Sequence, residues 1–172
     1  MKRIGILSDT HAFWDDKYAE YLGACDEIWH AGDFGSLEIA DRLAALGPLL
    51  RGVYGNCDGQ DIRLRFPEIL RFRCEGVDVL MKHIGGYPGH YDFSIRSRIY
   101  THPPQLFVSG HSHILKVMND RNLHLLHINP GAAGMQGFHT VRTLVRLTID
   151  QSDMRDLEVI ELAEKSTGYL TR

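Results

Sequence analysis

The sequence predicts an α/β protein, and three observations carry the prediction. Short apolar runs alternate with helically spaced patterns along most of the chain, as strands joined by helical returns require. Polar residues of catalytic type follow several of those runs directly. Hydrophobic residues make up 44% and charged residues 24%, enough apolar material for a core at an ordinary globular composition. At 172 residues the chain falls within the ~100–200 typical of one domain, so residues 1–172 are read as a single unit.

The elements follow in order. Ile4–Ser8 reads as a buried strand ending at Asp9-Thr10-His11. Lys17–Cys25 carries Tyr18, Tyr21, Leu22 and Cys25 at helical spacing. Glu27–Ala31 is a second strand, closed by Gly32-Asp33. Leu37–Leu46 places Leu37, Ala40, Leu43 and Ala44 on one helical face and stops at Gly47-Pro48. Leu49–Tyr54 is a third strand, ending in Gly55-Asn56-Cys57-Asp58. Ile69–Cys74 and Val77–His83 form a hairpin about Glu75-Gly76, and Gly85–Gly89 is a loop. Phe93–Tyr100 is a short helix halted before Pro103-Pro104. Leu106–Ser109 is a buried strand leading into Gly110-His111-Ser112-His113. Ile114–Met118 and Leu123–Ile128 form a second hairpin, and Val141–Ile149 and Leu157–Leu162 close the chain as strands.

Composition excludes several classes. No run approaches the ~18 apolar residues of a membrane span. The formal charge is −3, which offers no basic footprint for nucleic acid. Three widely spaced cysteines, Cys25, Cys57 and Cys74, make neither a disulfide framework nor a zinc knuckle. The apolar stretch after Lys2-Arg3 is too short for a signal-peptide core, so a cytoplasmic setting is expected. The unusual residue is histidine, which occurs ten times.

Asp9, Asp33, Asn56, His83 and His111 end or follow successive strands at intervals of 24, 23, 27 and 28 residues. Each interval matches one strand and its return, in the range of a ~30-residue βαβ unit. The carboxyl ends of parallel strands line one edge of a sheet, where ligands bind. Asp9, His11, Asp33, Asn56, His83, His111 and His113 should therefore converge. Glycines 32, 55 and 110 let the chain turn sharply at three of those ends. Two aspartates, an asparagine and four histidines offer hard oxygens and borderline nitrogens. The set suits Mn, Fe, Zn, Ni or Co and is poor for Mg or Ca alone. Seven ligand side chains exceed what one ion needs. They suit two ions ~3.5–4 Å apart that clamp the entering and leaving oxygens of a phosphoryl group.

These motifs, with Asn129-Pro130-Gly131 beyond them, resemble the calcineurin-like metallophosphoesterases, most closely the small single-domain phosphodiesterase branch. The resemblance covers residues 2 to about 134. It implies two mixed β-sheets packed as a sandwich with flanking helices. It also implies two divalent transition-metal ions, manganese first. One would be held by Asp9, His11, Asp33 and His113, the other by Asp33, Asn56, His83 and His111, with Asp33 bridging. The activity implied is a metal-dependent phosphoesterase, in which an activated hydroxide attacks phosphorus in line. Asp33, Asn56 and His111 carry the catalytic roles, and the substrate is a small phosphate ester. The alternative is a non-catalytic protein-binding scaffold of the same fold, similar to the retromer cargo-sorting subunit. A nuclease of the same superfamily is disfavoured by charge. Self-association is an expectation by analogy.

Two departures from the family pattern stand out. Larger members carry a general-acid histidine after the motif asparagine, and here that residue is Cys57. A thiol of ordinary pKa ~8.5 is a weak proton donor, which favours diesters or aryl esters with good leaving groups. The family also places glycine after the second-ion histidine. Here Ile84 follows His83, and His90 is the alternative ligand.

The remaining candidates have bland readings. His30 is either a support for the ligands or an ordinary core histidine. His124 and His127 read as structural or exposed, and His102 and His139 as loop residues. Arg63, Arg65, Arg96 and Arg98 read as a solvated face before a phosphate site. Trp14 reads as core packing before a substrate lip.

Overall fold

The computed structural model describes residues 1–165. The elements in chain order are β1 (Lys2–Leu7), α1 (Asp16–Leu22), β2 (Glu27–His30), α2 (Leu37–Ala44), β3 (Leu49–Gly52), α3 (Gln60–Arg65), β4 (Ile69–Cys74) and β5 (Val77–Lys82). There follow β6 (Gly86–Tyr87), β7 (His90–Tyr91), α4 (Phe93–Thr101), β8 (Leu106–Val108), β9 (Leu115–Asp120), β10 (Leu125–Pro130), β11 (Val141–Asp150) and β12 (Asp153–Glu164). None of the described helices is long and apolar enough to cross a membrane.

Two five-stranded mixed sheets result, in the orders β12-β11-β1-β2-β3 and β4-β5-β8-β10-β9. In the first, β1, β2 and β3 run parallel, while β11 and β12 are antiparallel additions. In the second, β5, β8 and β10 run parallel, flanked by antiparallel β4 and β9.

The sheets face each other across one core. Ile4, Ile6, Trp29, Val145 and Leu147 of the first pack with Val79, Met81, Leu106, Val108 and Ile128 of the second. Helices cover the outer faces. Tyr18, Leu22, Ile39, Leu43 and Ile62 of α1–α3 lie on the first sheet, and Ile95 and Ile99 of α4 lie on the second. The sandwich with flanking helices is thus observed.

The differences from the sequence reading are local. α1 stops at Leu22 rather than Cys25, because Gly23 caps it and the Cys25 amide turns back to Leu22 O at 3.0 Å. α3 is not assigned from the sequence; it buries only Ile62 and leaves Leu64 79% exposed, so it has no apolar stripe to read. The Gly85–Gly89 loop instead contributes Gly86-Tyr87 to a two-stranded ribbon with His90-Tyr91. β12 begins at Asp153 rather than Leu157, because the tight turn at Gln151-Ser152 carries pairing to the strand end.

On β10, Leu126 and Ile128 face the inter-sheet core, while Leu125 and His127 face outward under the loops. His127 is fully buried, and its Nδ1–H donates to Phe107 O at 3.2 Å. Burial lowers its pKa from 6.5 to about 4. The unfolded chain therefore binds more protons between those values. Stability from the neutral ring is complete above pH 6.5 and lost as pH falls toward 4. His127→Phe removes this dependence. Between pH 6.5 and 4, urea unfolding of metal-free protein should shift in the variant's favour, relative to the parent, by about 3 kcal/mol. A constant difference across that range would mean that the ring is not buried neutral.

Candidate metal centre

The seven polar residues lie where parallel strands end. Asp9 follows β1, Asp33 follows β2, Asn56 follows β3, His83 follows β5, and His111 and His113 follow β8. The loops are tied together by backbone bonds. Asp9 N donates to Gly32 O at 2.9 Å and His11 N to Asp33 O at 3.1 Å; on the other sheet Gly110 N donates to His83 O at 2.9 Å. Contacts to backbone groups also cross between the sheets. His83 Nδ1 donates to Ala31 O at 2.7 Å, and His111 N donates to Asp9 Oδ2 at 3.1 Å.

The backbone there is strained. Asp9, His11, Asp33, His111 and His113 have φ of 55°, 43°, 58°, 71° and 61°. Asp and His tolerate this left-handed region better than most residues, yet each instance costs of order 1 kcal/mol. Such clustering at strand ends is expected where side chains must be aimed inward.

The side chains close on two carboxylates. Asp9 Oδ1 lies 3.1 Å from His113 Nε2, 3.6 Å from His11 Nε2 and 3.8 Å from His83 Nε2. Asp33 Oδ2 lies 3.1 Å from His83 Nε2 and 3.6 Å from His11 Nε2. The other oxygens are engaged: Asp9 Oδ2 accepts from Ser8 Oγ at 2.5 Å, and Asp33 Oδ1 accepts from Cys57 N at 2.8 Å. His111 Nδ1 meets Asn56 Oδ1 at 3.0 Å. Among the described residues three groups of ligand atoms emerge: Asp9 with His11 and His113, Asp33 with His83 and His111, and, overlapping both through shared residues, His11 with Asp33 and Cys57.

A divalent cation fits this donor set. His11 Nε2 and His83 Nε2 are buried without a hydrogen-bond partner, although carboxylate oxygens lie nearby. An orphaned buried nitrogen costs ~1–3 kcal/mol, and a cation held between nitrogens and carboxylates removes that cost. The backbone carbonyl on His83 Nδ1 fixes the tautomer that leaves the Nε2 lone pair free.

Charges in the cluster are mutually adjusted. Burial pushes the Asp9 carboxyl up, but the imidazoles of His11 and His113 outweigh it and hold the carboxyl far below its usual range. Asp33 is likewise held low against burial, chiefly by His83. His83 is raised by Asp33 and Asp9 despite burial, which alone would lower it. His111 is lowered by burial and by His83. Burial and the Asp33 carboxylate push the exposed Cys57 thiol up, so it stays protonated at neutral pH.

Around these residues lies a supporting layer that the sequence reading mostly missed. Asp58 is buried, and its Oδ2 accepts from Asp33 N at 2.9 Å, Phe34 N at 3.3 Å and Gly55 N at 2.8 Å. Its Oδ1 accepts from Gly35 N at 3.0 Å. The signal was the fourth residue of Gly55-Asn56-Cys57-Asp58, an acidic side chain just past the third strand end. His30 is both core and support. Its Nδ1 accepts from Gly32 N at 3.1 Å, its Nε2 meets Thr10 Oγ1 at 2.9 Å, and burial lowers its pKa to about 3. The glycine argument also changes. Gly32 does turn at φ 106°, but a Cβ on Gly55, which lacks a positive φ, would strike the Asp33 carboxylate. Close approach, rather than a turn, requires glycine there.

Other candidates fall outside the cluster. His90 lies on the β6–β7 ribbon against Tyr87, so His83 is the histidine the fold brings to Asp33. Trp14 packs edge-on to Tyr18 beneath Arg42. Arg65 pairs with Asp41, and Arg96 bonds Tyr91 O. Arg63 stacks on Tyr54 and borders the cavity beside Asn56. His139 packs against His113 at 5.2 Å.

A model of the calcineurin-like phosphoesterase superfamily domain matches residues 1–152. No curated protein matches the chain. Among solved structures, the Thermotoga maritima protein TM1076 is 25% identical with a TM-score of 0.71, covering 94% of this chain and 100% of that one. A structure described as a novel archaeal phosphodiesterase is 21% identical with a TM-score of 0.68, over 93% and 99% of the two chains. Vps29 from Entamoeba histolytica, solved complexed with Zn²⁺, is 15% identical with a TM-score of 0.71, over 92% and 98%. The similar structures share the fold, and the family match extends over the strand ends that carry all seven polar residues: the chain belongs to the calcineurin-like phosphoesterase superfamily.

Proposed function

We propose that the chain is a metal-dependent phosphoesterase acting on small phosphate diesters. One observation supports this most. Asp33 Oδ2, left free by Cys57 N on the other oxygen, stands between the orphaned Nε2 atoms of His11 and His83. Such a placement supports a bridging role for Asp33. Asp9, His11, Asp33 and His113 would hold one divalent ion, and Asp33, Asn56, His83 and His111 the second. Mixed oxygen and imidazole donors favour manganese or a neighbouring transition metal. Bound ions would supply a water activated near neutral pH and neutralise charge on the phosphoryl oxygens.

The chain's own groups do the rest. Asn56 is exposed at the rim and can donate from Nδ2 to a phosphoryl oxygen. Cys57, exposed beside Asn56, is a weak acid, so a leaving group of low pKa departs with least help. The three cysteines are free, in keeping with a reducing, cytoplasmic setting.

A second reading, a protein-binding scaffold, draws on the similarity to Vps29. That relative was solved with Zn²⁺, so metal binding alone does not separate the two readings; turnover does. The chain is stripped with chelator and assayed on bis(p-nitrophenyl) phosphate and p-nitrophenyl phosphate, with and without Mn²⁺. Added metal should raise diester hydrolysis at least ~100-fold over the stripped protein. No turnover on either ester with any first-row metal would reject the enzyme and favour the scaffold.

A further inference from the structure

Beside His111, on the outer face of the second sheet, opens a cavity of about 330 Å³. This is the lower end of small-ligand sites, ~300–1,000 Å³, and holds one ring-sized group. His127 forms its floor. The imidazole is wholly buried, Nδ1–H is committed to Phe107 O, and Nε2 has no partner among the described residues. With Nδ1 as donor, Nε2 of the neutral ring is an acceptor only, and what fills the cavity must bring a hydrogen-bond donor.

The walls narrow the choice. Lys116 holds its ammonium 3.6 Å from the centre of the Tyr87 ring. A cationic amine meets like charge at Lys116, whereas a neutral hydroxyl is accepted beside both this ammonium and the Asp92 carboxylate. Ile84, Ile114 and the Tyr87 ring offer apolar surface suited to the C–H face of a saturated ring. Asp92 adds a carboxylate on the same lining. Acceptors below, an aromatic wall and one ring of space together describe a sugar-like ligand. Because His111 borders the cavity, a substituent of a phosphate held at the metal centre reaches it directly.

We propose that this cavity receives the sugar or cyclic-polyol substituent of the phosphodiester, with one of its hydroxyls donating to His127 Nε2. The proposal rests on the phosphoesterase reading and adds the substrate class to it. A plain alkyl ring fits the space but leaves the buried nitrogen unpaired, and sites built around such an acceptor discriminate strongly against the analogue lacking the donor.

The test uses two p-nitrophenyl diesters that share a six-membered ring, one esterified to inositol and one to cyclohexanol. With the Mn²⁺-loaded chain, kcat/KM should favour the inositol diester at least ~10-fold. In His127→Phe the ratio should fall to near one. Equal rates in the parent, or a preference that survives in the variant, overturn the proposal. A second measurement needs neither turnover nor a variant. In histidine-¹⁵N-labelled protein, inositol 1-phosphate should move the His127 Nε2 resonance and cyclohexyl phosphate should not. No shift at saturating inositol 1-phosphate also overturns it. If neither diester is cleaved with any metal, the phosphoesterase reading falls, and the resonance shift still decides what the cavity binds.

Discussion

Asp33→Ala should abolish metal retention at both positions and cut diester turnover ~10³-fold or more. The expectation comes from the two oxygens. Oδ1 is fixed by Cys57 N at 2.8 Å, so Oδ2 is held facing His83 at 3.1 Å and His11 at 3.6 Å. Under the proposed two-ion arrangement, losing that oxygen would take a ligand from each ion and the negative charge between them. Alanine also loses backbone tolerance, because residue 33 has φ 58°, where Asp and Asn are accepted more readily than alanine. Asp33→Asn separates the effects. It keeps the left-handed backbone and an acceptor for Cys57 N and loses only the charge. If the carboxylate is the bridge, both variants lose metal by elemental analysis while the asparagine variant keeps the melting temperature of the metal-free parent. Asp33→Asn that retained two ions and full turnover would show that Asp33 shapes the loop and bridges nothing.

The positions of the centre were legible because the chemistry sits at strand ends, and strand ends are what hydrophobic patterning marks best. Asp9, Asp33, Asn56, His83 and His111 each end or follow an apolar run, and the parallel order of β1–β2–β3 and of β5–β8 brings those ends together. What patterning could not show is who holds whom. Asp58 looks like one more turn aspartate, yet its partners are backbone amides at positions 33, 34, 35 and 55, a relation made only by the fold. Gly55 and Gly110 were read as turn formers, whereas their need is the nearness of Asp33 and of Ser8 and Asp9, which come from other segments. α3 and the β6–β7 ribbon were illegible for a different reason. Each buries a single side chain, Ile62 in α3 and Tyr91 in the ribbon, too few to make a periodic pattern, and they owe their shape to neighbours: α3 begins beside the Asp58 loop, and the ribbon is tied to β9 through Tyr87 and Lys116.

Asp58 carries the second large effect, on stability as much as on metal. The amides of Asp33, Phe34 and Gly35 point into one concavity, with residues 33 and 35 at φ 58° and 85°, and the Asp58 carboxylate fills it. Successive amides in this arrangement form an anion nest. Removing the anion leaves three buried donors, the amides of Asp33, Phe34 and Gly55, and the less buried Gly35 N without partners. Each would cost ~1–3 kcal/mol alone; water entering the space left by the side chain relieves some of that, so Asp58→Ala should destabilise by about 3–5 kcal/mol. That is a large share of the ~5–15 kcal/mol that holds a typical domain folded. Asp58→Asn should fall between the two, since its oxygen can keep the three amides on one side while its NH₂ faces Gly35 N. Urea unfolding of the metal-free chain gives the order, parent above Asp58→Asn above Asp58→Ala. Metal affinity should fall in the same order at temperatures where all three remain folded, because the loop that aims Asp33 is no longer pinned. Equal unfolding midpoints for the three proteins would mean that the nest is filled by something other than this carboxylate in solution. Equal metal affinity with unequal midpoints would confine Asp58 to stability and leave the aim of Asp33 to the Cys57 amide alone.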